Sequence, residues 1–262
     1  DYRKDGWRVD VCLGNFYNHM GMGEEATEHL TKALSAVGDS PSGLLVSALA
    51  SLTVTKTHSG LLLESEQLGL EAKNKCEALD LERPERIRAK LEAWGSLGAQ
   101  PLLHQGIWDQ EKRDESEKLL KGCVSQARQL IEIVPASDWL EKERAYNQWA
   151  HSHGQLAWWK ALFKPREFLL SYDKFRNELA SQGKDLFQSQ SCYLLRARWH
   201  AVFRIALRED MELKEDWLEW DLPAPAQGHE KWLLALCLKY RGLLYAINGS
   251  LEKAREDFSQ AK

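Results

Sequence analysis

The chain has 262 residues, 44% of them hydrophobic and 28% charged, with 17 Gly, 7 Pro and a net charge of -4. That composition excludes a disordered chain, a collagen-like chain and a low-complexity linker, and the charge argues against polyanion binding by the whole molecule while leaving room for a local basic strip. The longest apolar run, Trp232 to Leu238, falls far short of the roughly 20 residues that cross a bilayer, so no membrane association is expected.

Helical periodicity then dominates in chain order. The opening Asp1-Tyr2-Arg3-Lys4-Asp5 has neither the apolar stretch of a signal peptide nor an initiator Met, so an excised or processed segment is expected. Trp7 to Met20 reads as a first helix, broken at Gly21-Met22-Gly23 and resumed from Glu24 to Val37. Gly38-Asp39-Ser40-Pro41 is a stop signal, with Ser42 able to cap the next helix. Leu44 to Leu79 reads as two helices, or one weakened near Thr53-Val54-Thr55 and Ser59-Gly60. Pro84 suits the first turn of a helix to Leu97, and Gln100-Pro101 interrupts. Gln110 to Val134 is long and charged and ends at Pro135. Ser137 or Asp138 then caps a helix to Phe163 whose acidic first turn suits the helix dipole. Lys164-Pro165 starts another, to Ser181-Gln182-Gly183. Asp185 to Arg208 is the next helix, and Met211 to Trp220 a shorter one. Asp221 to Gly228 is the longest clear loop, and Lys231 to Ile247 and Leu251 to Ala261 close the chain. No β-branched run leads into a hairpin turn of the Asn-Gly or Asp-Gly kind. The expected class is all-α, built as consecutive antiparallel helix pairs.

Chemical signatures are sparse. The five cysteines, at 12, 76, 123, 192 and 237, form no Cys-x-x-Cys pair. Each sits in an apolar stretch and is expected to be a small buried hydrophobe, in a reducing, cytoplasmic setting. No zinc-protease, phosphate-loop, dinucleotide or nucleophile-elbow motif occurs. His151 and His153 lie about 200° apart on a helix and cannot chelate one ion together. Glu24-Glu25 and Glu141/Glu143 belong to first turns, where they favour the dipole. The segment is expected to be non-catalytic, without metal or cofactor. Eleven tryptophans crowd toward the second half, mostly at helical spacing with Leu and Ala, which points to core. Trp158-Trp159 departs from this, because adjacent residues point about 100° apart and one of the two can be exposed.

A repeat is visible at both ends. Leu13-Gly14-x-x-Tyr17 precedes Ala26-x-x-x-Leu30-x-x-Ala33, and Gly242-x-x-Tyr245 precedes Ala254-x-x-x-Phe258-x-x-Ala261. The internal spacings are identical. A small residue at Gly14 or Gly242 lets the first helix approach its partner, and Tyr17 or Tyr245 fills the wedge one turn on. This pattern resembles the tetratricopeptide repeat, a helix–turn–helix unit of about 34 residues, over roughly 60 residues of the chain. Ala72-x-x-x-Cys76-x-x-Leu79 has second-helix spacing, and Trp199-x-x-Val202-Phe203-x-x-Ala206 first-helix spacing. The resemblance implies an α-solenoid of about six antiparallel helix pairs, one domain over 1–262, with longer central helices absorbing the surplus over a strict period.

The candidate site is a basic strip. Arg196, His200, Arg204 and Arg208 recur every four residues and share one helix face, with Trp199, Val202, Phe203 and Ala206 opposite. The resemblance places His200, Arg204 and Arg208 on the concave groove of the array, together with Arg8, Asn15, Asn18 and Lys239. Repeat arrays bind extended partners along such a surface, and arginine forks suit carboxylates and phosphates. The implied function is a non-catalytic interaction scaffold or sensor for an acidic or extended protein partner. The alternatives are the regulatory arm of a larger NTPase or protease and, disfavoured by the net charge, a site for single-stranded nucleic acid or RNA ends. Additional linked domains or a multi-subunit assembly are expected. Some family members hold a C-terminal carboxylate with a Lys and an Asn one turn apart; here Val11 stands one turn before Asn15, so that clamp is incomplete.

Overall fold

The computed structural model describes residues 2–37, 42–80, 82–103, 109–181, 197–202, 204–206 and 230–261. Every regular element among them is an α-helix. In chain order these are α1 (Tyr2–His19), α2 (Gly23–Val37), α3 (Gly43–His58), α4 (Leu62–Glu77), α5 (Arg83–Leu103), α6 (Gln110–Ile133), α7 (Trp139–Phe163) and α8 (Pro165–Ala180). Then come α9 (residues 197–202 and 204–206), α10 (Glu230–Ile247) and α11 (Leu251–Gln260). The expected helix over 211–220 and the loop over 221–228 lie outside the described residues. No described helix is long and apolar enough to cross a membrane.

Local chemistry explains most helix ends. The hydroxyl of Ser42 accepts from the Leu45 N–H at 3.1 Å, as expected for a cap. Asp109 caps α6 in the same way, accepting from the Lys112 N–H at 2.9 Å. Of Ser137 and Asp138, Asp138 is the cap of α7, accepting from the Glu141 N–H at 3.2 Å. Pro101 does not end α5, contrary to the sequence expectation; the helix runs on to Leu103. Burial offsets the lost backbone bond, since Leu102 is buried beside it and the buried Gln100 amide donates to Ser65 Oγ at 2.9 Å.

The chain divides into two compact units, residues 1–152 and 153–262, with the division inside α7. In the first unit, α1 pairs with α2, α3 with α4, and α5 with α6. The first helices also pack on one another, α1 on α3 and α3 on α5. Val11, Leu30, Ala33, Ala48 and Leu52 form one core cluster from α1, α2 and α3. Leu45, Val46 and Leu49 meet Ala72 and Cys76 of α4 and Ala89 and Ala93 of α5 in another. In the second unit α10 pairs with α11, and Trp199 and Val202 of α9 pack on Cys237 and Leu244 of α10.

Three of these pairs share one turn. Gly21, Gly60 and Gly249 have φ of 74°, 77° and 76°, in the left-handed region that favours glycine. After each, the next residue's N–H reaches back five residues: Met22 to Tyr17 O, Leu61 to Lys56 O, and Ser250 to Tyr245 O, at 2.8–2.9 Å. Each glycine N–H also bonds three residues back. This double closure satisfies carbonyls left open at a helix end.

The turn glycines supply a common register. Seven residues before them stand Gly14, Thr53 and Gly242; nine after stand Leu30, Gly69 and Phe258. A Cβ on Gly14 would lie 2.5 Å from Leu30 Cγ, and one on Gly242 would lie 2.8 Å from the Phe258 ring. In the middle pair the sizes are exchanged, and a Cβ on Gly69 would meet Thr53 Cγ2 at 3.3 Å and, more tightly, Leu97 Cδ1 of α5 at 2.9 Å. One side of each close approach is a glycine, so the two helix axes come together over a large-on-small contact. Counted from Gly60, Ala72 matches Ala33 and not Ala26, so the spacing Ala72-x-x-x-Cys76 sits about two helical turns further along than the sequence expectation.

Candidate functional site

The residues of the predicted strip have different structural fates. Arg196 and Arg208 lie outside the described residues. His200 is 9% exposed and sits between two rings, 5.1 Å from Trp158 and 5.4 Å edge-on from Tyr240. Arg204 is half-buried on the same helix. The opposite face behaves as the periodicity expects, with Trp199 and Val202 fully buried; Phe203 lies outside the described residues.

Arg198, which the four-residue spacing skipped, is buried with its guanidinium 5.4 Å over the Tyr172 ring. Burial pushes the Tyr172 hydroxyl up to about 12, opposed by the nearby Arg198 and Arg176 charges. Arg198 of α9 therefore sits over a ring face of α8, while the His200 ring packs tilted against Trp158 of α7 and edge-on against Tyr240 of α10. A cation on a ring face is stabilised by the ring quadrupole, so the Arg198 contact helps to orient α9. Sequence spacing could not find Arg198, because its partner Tyr172 is on another helix.

The remaining candidates sit on first helices. Arg8 is exposed with its guanidinium 5.5 Å from the Trp7 ring, and Lys239 is exposed on α10. Asn18 is committed to packing: its amide donates to Ser51 O at 3.0 Å, and its carbonyl accepts from Thr55 Oγ1 at 2.8 Å. It joins α1 to α3 with one of its two N–H donors and one of its two carbonyl lone pairs. Asn15 is half-buried, and its carbonyl oxygen is enclosed without a hydrogen-bond partner among the described residues.

Two polar features escaped the sequence reading. His29 Nδ1 lies 2.9 Å from Asp10 Oδ1, Tyr17 stacks on the imidazole at 5.4 Å, and Lys32 Nζ is 3.4 Å from the same carboxylate. Asp10 is buried, so the imidazole is held in one orientation across the α1–α2 seam. A small open hollow also lies among α4, α5 and α6, lined by Leu70, Leu97, Gln100 and Ser116, with Lys112 Nζ 2.8 Å from both carboxylate oxygens of Glu66. Among the described residues no group of three or more His, Cys, Asp or Glu is placed to hold a metal ion.

Cysteine and tryptophan placement divides. Cys76, Cys123 and Cys237 are buried as expected, but Cys12 is exposed; it lies on the side of α1 away from α2 and α3. Cys192 lies outside the described residues. Trp149, Trp159 and Trp199 are core residues, and Trp158 is half-buried against His200. Trp139, in the first turn of α7, is 70% exposed. His153 is buried, 4.0 Å from Glu178, while His151 faces solvent.

Comparison of the chain with protein-family models, with curated proteins and with solved structures finds no match.

Proposed function

We propose that the chain is a tetratricopeptide-like α-solenoid acting as a non-catalytic interaction scaffold, which captures an extended or acidic protein partner on its first helices. The observation that carries this reading is the packing of α1 on α3 and α3 on α5, each with its own second helix at its side. Repetition of that arrangement aligns first helices into one surface, the geometry by which repeat arrays hold extended chains. The common turn and the large-on-small contact at Gly14, Gly69 and Gly242 support it.

Arg8, Arg204 and Lys239 are the described cations of the predicted surface with side chains reaching solvent. They act on orientation and association rate more than on affinity. His200, Arg198 and Asn18 serve the scaffold instead, holding helices together through ring stacking and hydrogen bonds.

The test is calorimetry with an extended glutamate-rich peptide, on the unmodified chain and on the Arg204→Glu, Arg208→Glu double variant. The expected result is binding that the double variant weakens by about tenfold, with a slower on-rate. Equal binding by both proteins removes the strip from the reading. Stronger binding of a single-stranded oligonucleotide, falling steeply with salt, replaces the protein partner by a nucleic acid.

A further inference from the structure

The register set by the turn glycines allows α1, α3 and α10 to be compared position by position. Five and twelve residues before the turn stand Phe16 and Val9 in α1, Thr55 and Ala48 in α3, and Leu244 and Cys237 in α10. These two positions lie on one helix face, close to 180° from the side that meets the next pair. In α3 that face is covered: Ala48 packs into the cluster with Val11 and Leu30, and Thr55 donates to Asn18. In α10 it is also covered, because Cys237 and Leu244 pack under Trp199 and Val202 of α9. In α1 the same face is uncovered by the described residues. Val9 is 41% exposed and Phe16 55% exposed, with the exposed Cys12 between them.

We infer that the outer face of α1, centred on Val9, Cys12 and Phe16, is a docking surface for an amphipathic partner helix that presents a bulky ring and a branched aliphatic side chain three residues apart. The internal counterpart in α10 shows what an apolar face of this kind takes, because α9 seals it with Trp199 and Val202 at that spacing, whereas α1 and α2 together cover that of α3. The face is apolar and uncharged at its centre, so the occupant's contacting stripe is apolar as well. A second copy stacked head to tail fits poorly. Where Val11 packs onto the next pair, α10 carries the exposed Lys239, and stacking would bury that ammonium against Val9 and Phe16. This inference uses α1 residues and not the arginines of α9, so loss of binding in the Arg204→Glu, Arg208→Glu variant would leave it standing.

The probe is a fluorescein-labelled peptide with the sequence of residues 195–208, which contains Trp199 and Val202. Its anisotropy is monitored on titration with the whole chain at an ionic strength of about 0.15 M. The expected result is saturable binding, weakened by at least about tenfold in Phe16→Asp and in Val9→Asp. A peptide carrying Trp199→Asp and Val202→Asp should not bind. Alkylation of Cys12 by N-ethylmaleimide in the unmodified protein should slow when the peptide is bound, a readout that needs no variant to fold. The milder Phe16→Ala provides a second variant. Absence of saturable binding, binding indifferent to Phe16 and Val9, or unchanged Cys12 alkylation would each overturn the inference. So would sedimentation as a dimer that Phe16→Asp converts to monomer, since the face would then belong to a second copy.

Discussion

Replacing Gly14 by Ala is a sharp test of the close helix approach. The added Cβ would lie 2.5 Å from Leu30 Cγ, 2.8 Å from Leu30 Cδ2 and 3.4 Å from Ala26 O. Leu30 has no exposed surface and packs among Val11, Ala33, Ala48 and Leu52, so it cannot swing away cheaply. Overpacking of this kind costs about 1–3 kcal/mol. Alanine recovers at most about 1 kcal/mol of helix propensity. With the full recovery the expected net loss is about 0–2 kcal/mol. Gly6 is the internal control, because it lies in the same helix and a Cβ there meets nothing within 4 Å. Gly6→Ala should therefore stabilise by about 0.5–1 kcal/mol. Urea unfolding monitored by far-UV circular dichroism reads both, with m-values unchanged. A double-mutant cycle adds a second check. Leu30→Ala alone should cost about 2–5 kcal/mol, and less in the Gly14→Ala background, where the clash disappears and the methyl fills part of the cavity. If Gly14→Ala stabilises like Gly6→Ala, or the coupling with Leu30 is near zero, the proposed contact is wrong.

The same geometry sets further outcomes. Gly242→Ala should cost less than Gly14→Ala in the same assay, because its obstacle is the half-buried Phe258 ring, which can give way. Asp257 is buried and holds Arg241 through two bonds, Nε at 2.8 Å and a terminal nitrogen at 2.6 Å. That bond is the main reason the Arg241 guanidinium is held charged. Asp257→Ala should cost about 3–5 kcal/mol by leaving a partly buried charge uncompensated, seen as faster hydrogen exchange across α10 and α11. Burial pushes the Cys123 thiol up to about 12 from an ordinary value of 9.0. The unfolded chain thus releases this proton first as pH rises. The contribution is intact below pH 9 and declines toward 12 by about 1.4 kcal/mol per pH unit, which thermal melts of the parent and Cys123→Ala proteins should separate.

The sequence by itself determined the helices and most of their ends. Hydrophobic period and cap chemistry are local, so Ser42, Pro84, Pro135 and the break at Gly21 could be read directly, and the repeat at Gly14 and Gly242 was legible because both pairs place the glycine on the first helix. The middle pair was not legible as a repeat. There Thr53 and Gly69 exchange the small and large partners, a compensation across two helices that a spacing rule cannot see. Only the tertiary structure decided which polar side chains are engaged by other helices. His200 and Asn18 read along their own helices as exposed polar groups, yet rings contact His200 and α3 groups bond Asn18. The same packing decided the reverse at Cys12, Val9 and Phe16. Their apolar character predicts burial, but burial requires a neighbour, and on the outer side of α1 the described residues supply none.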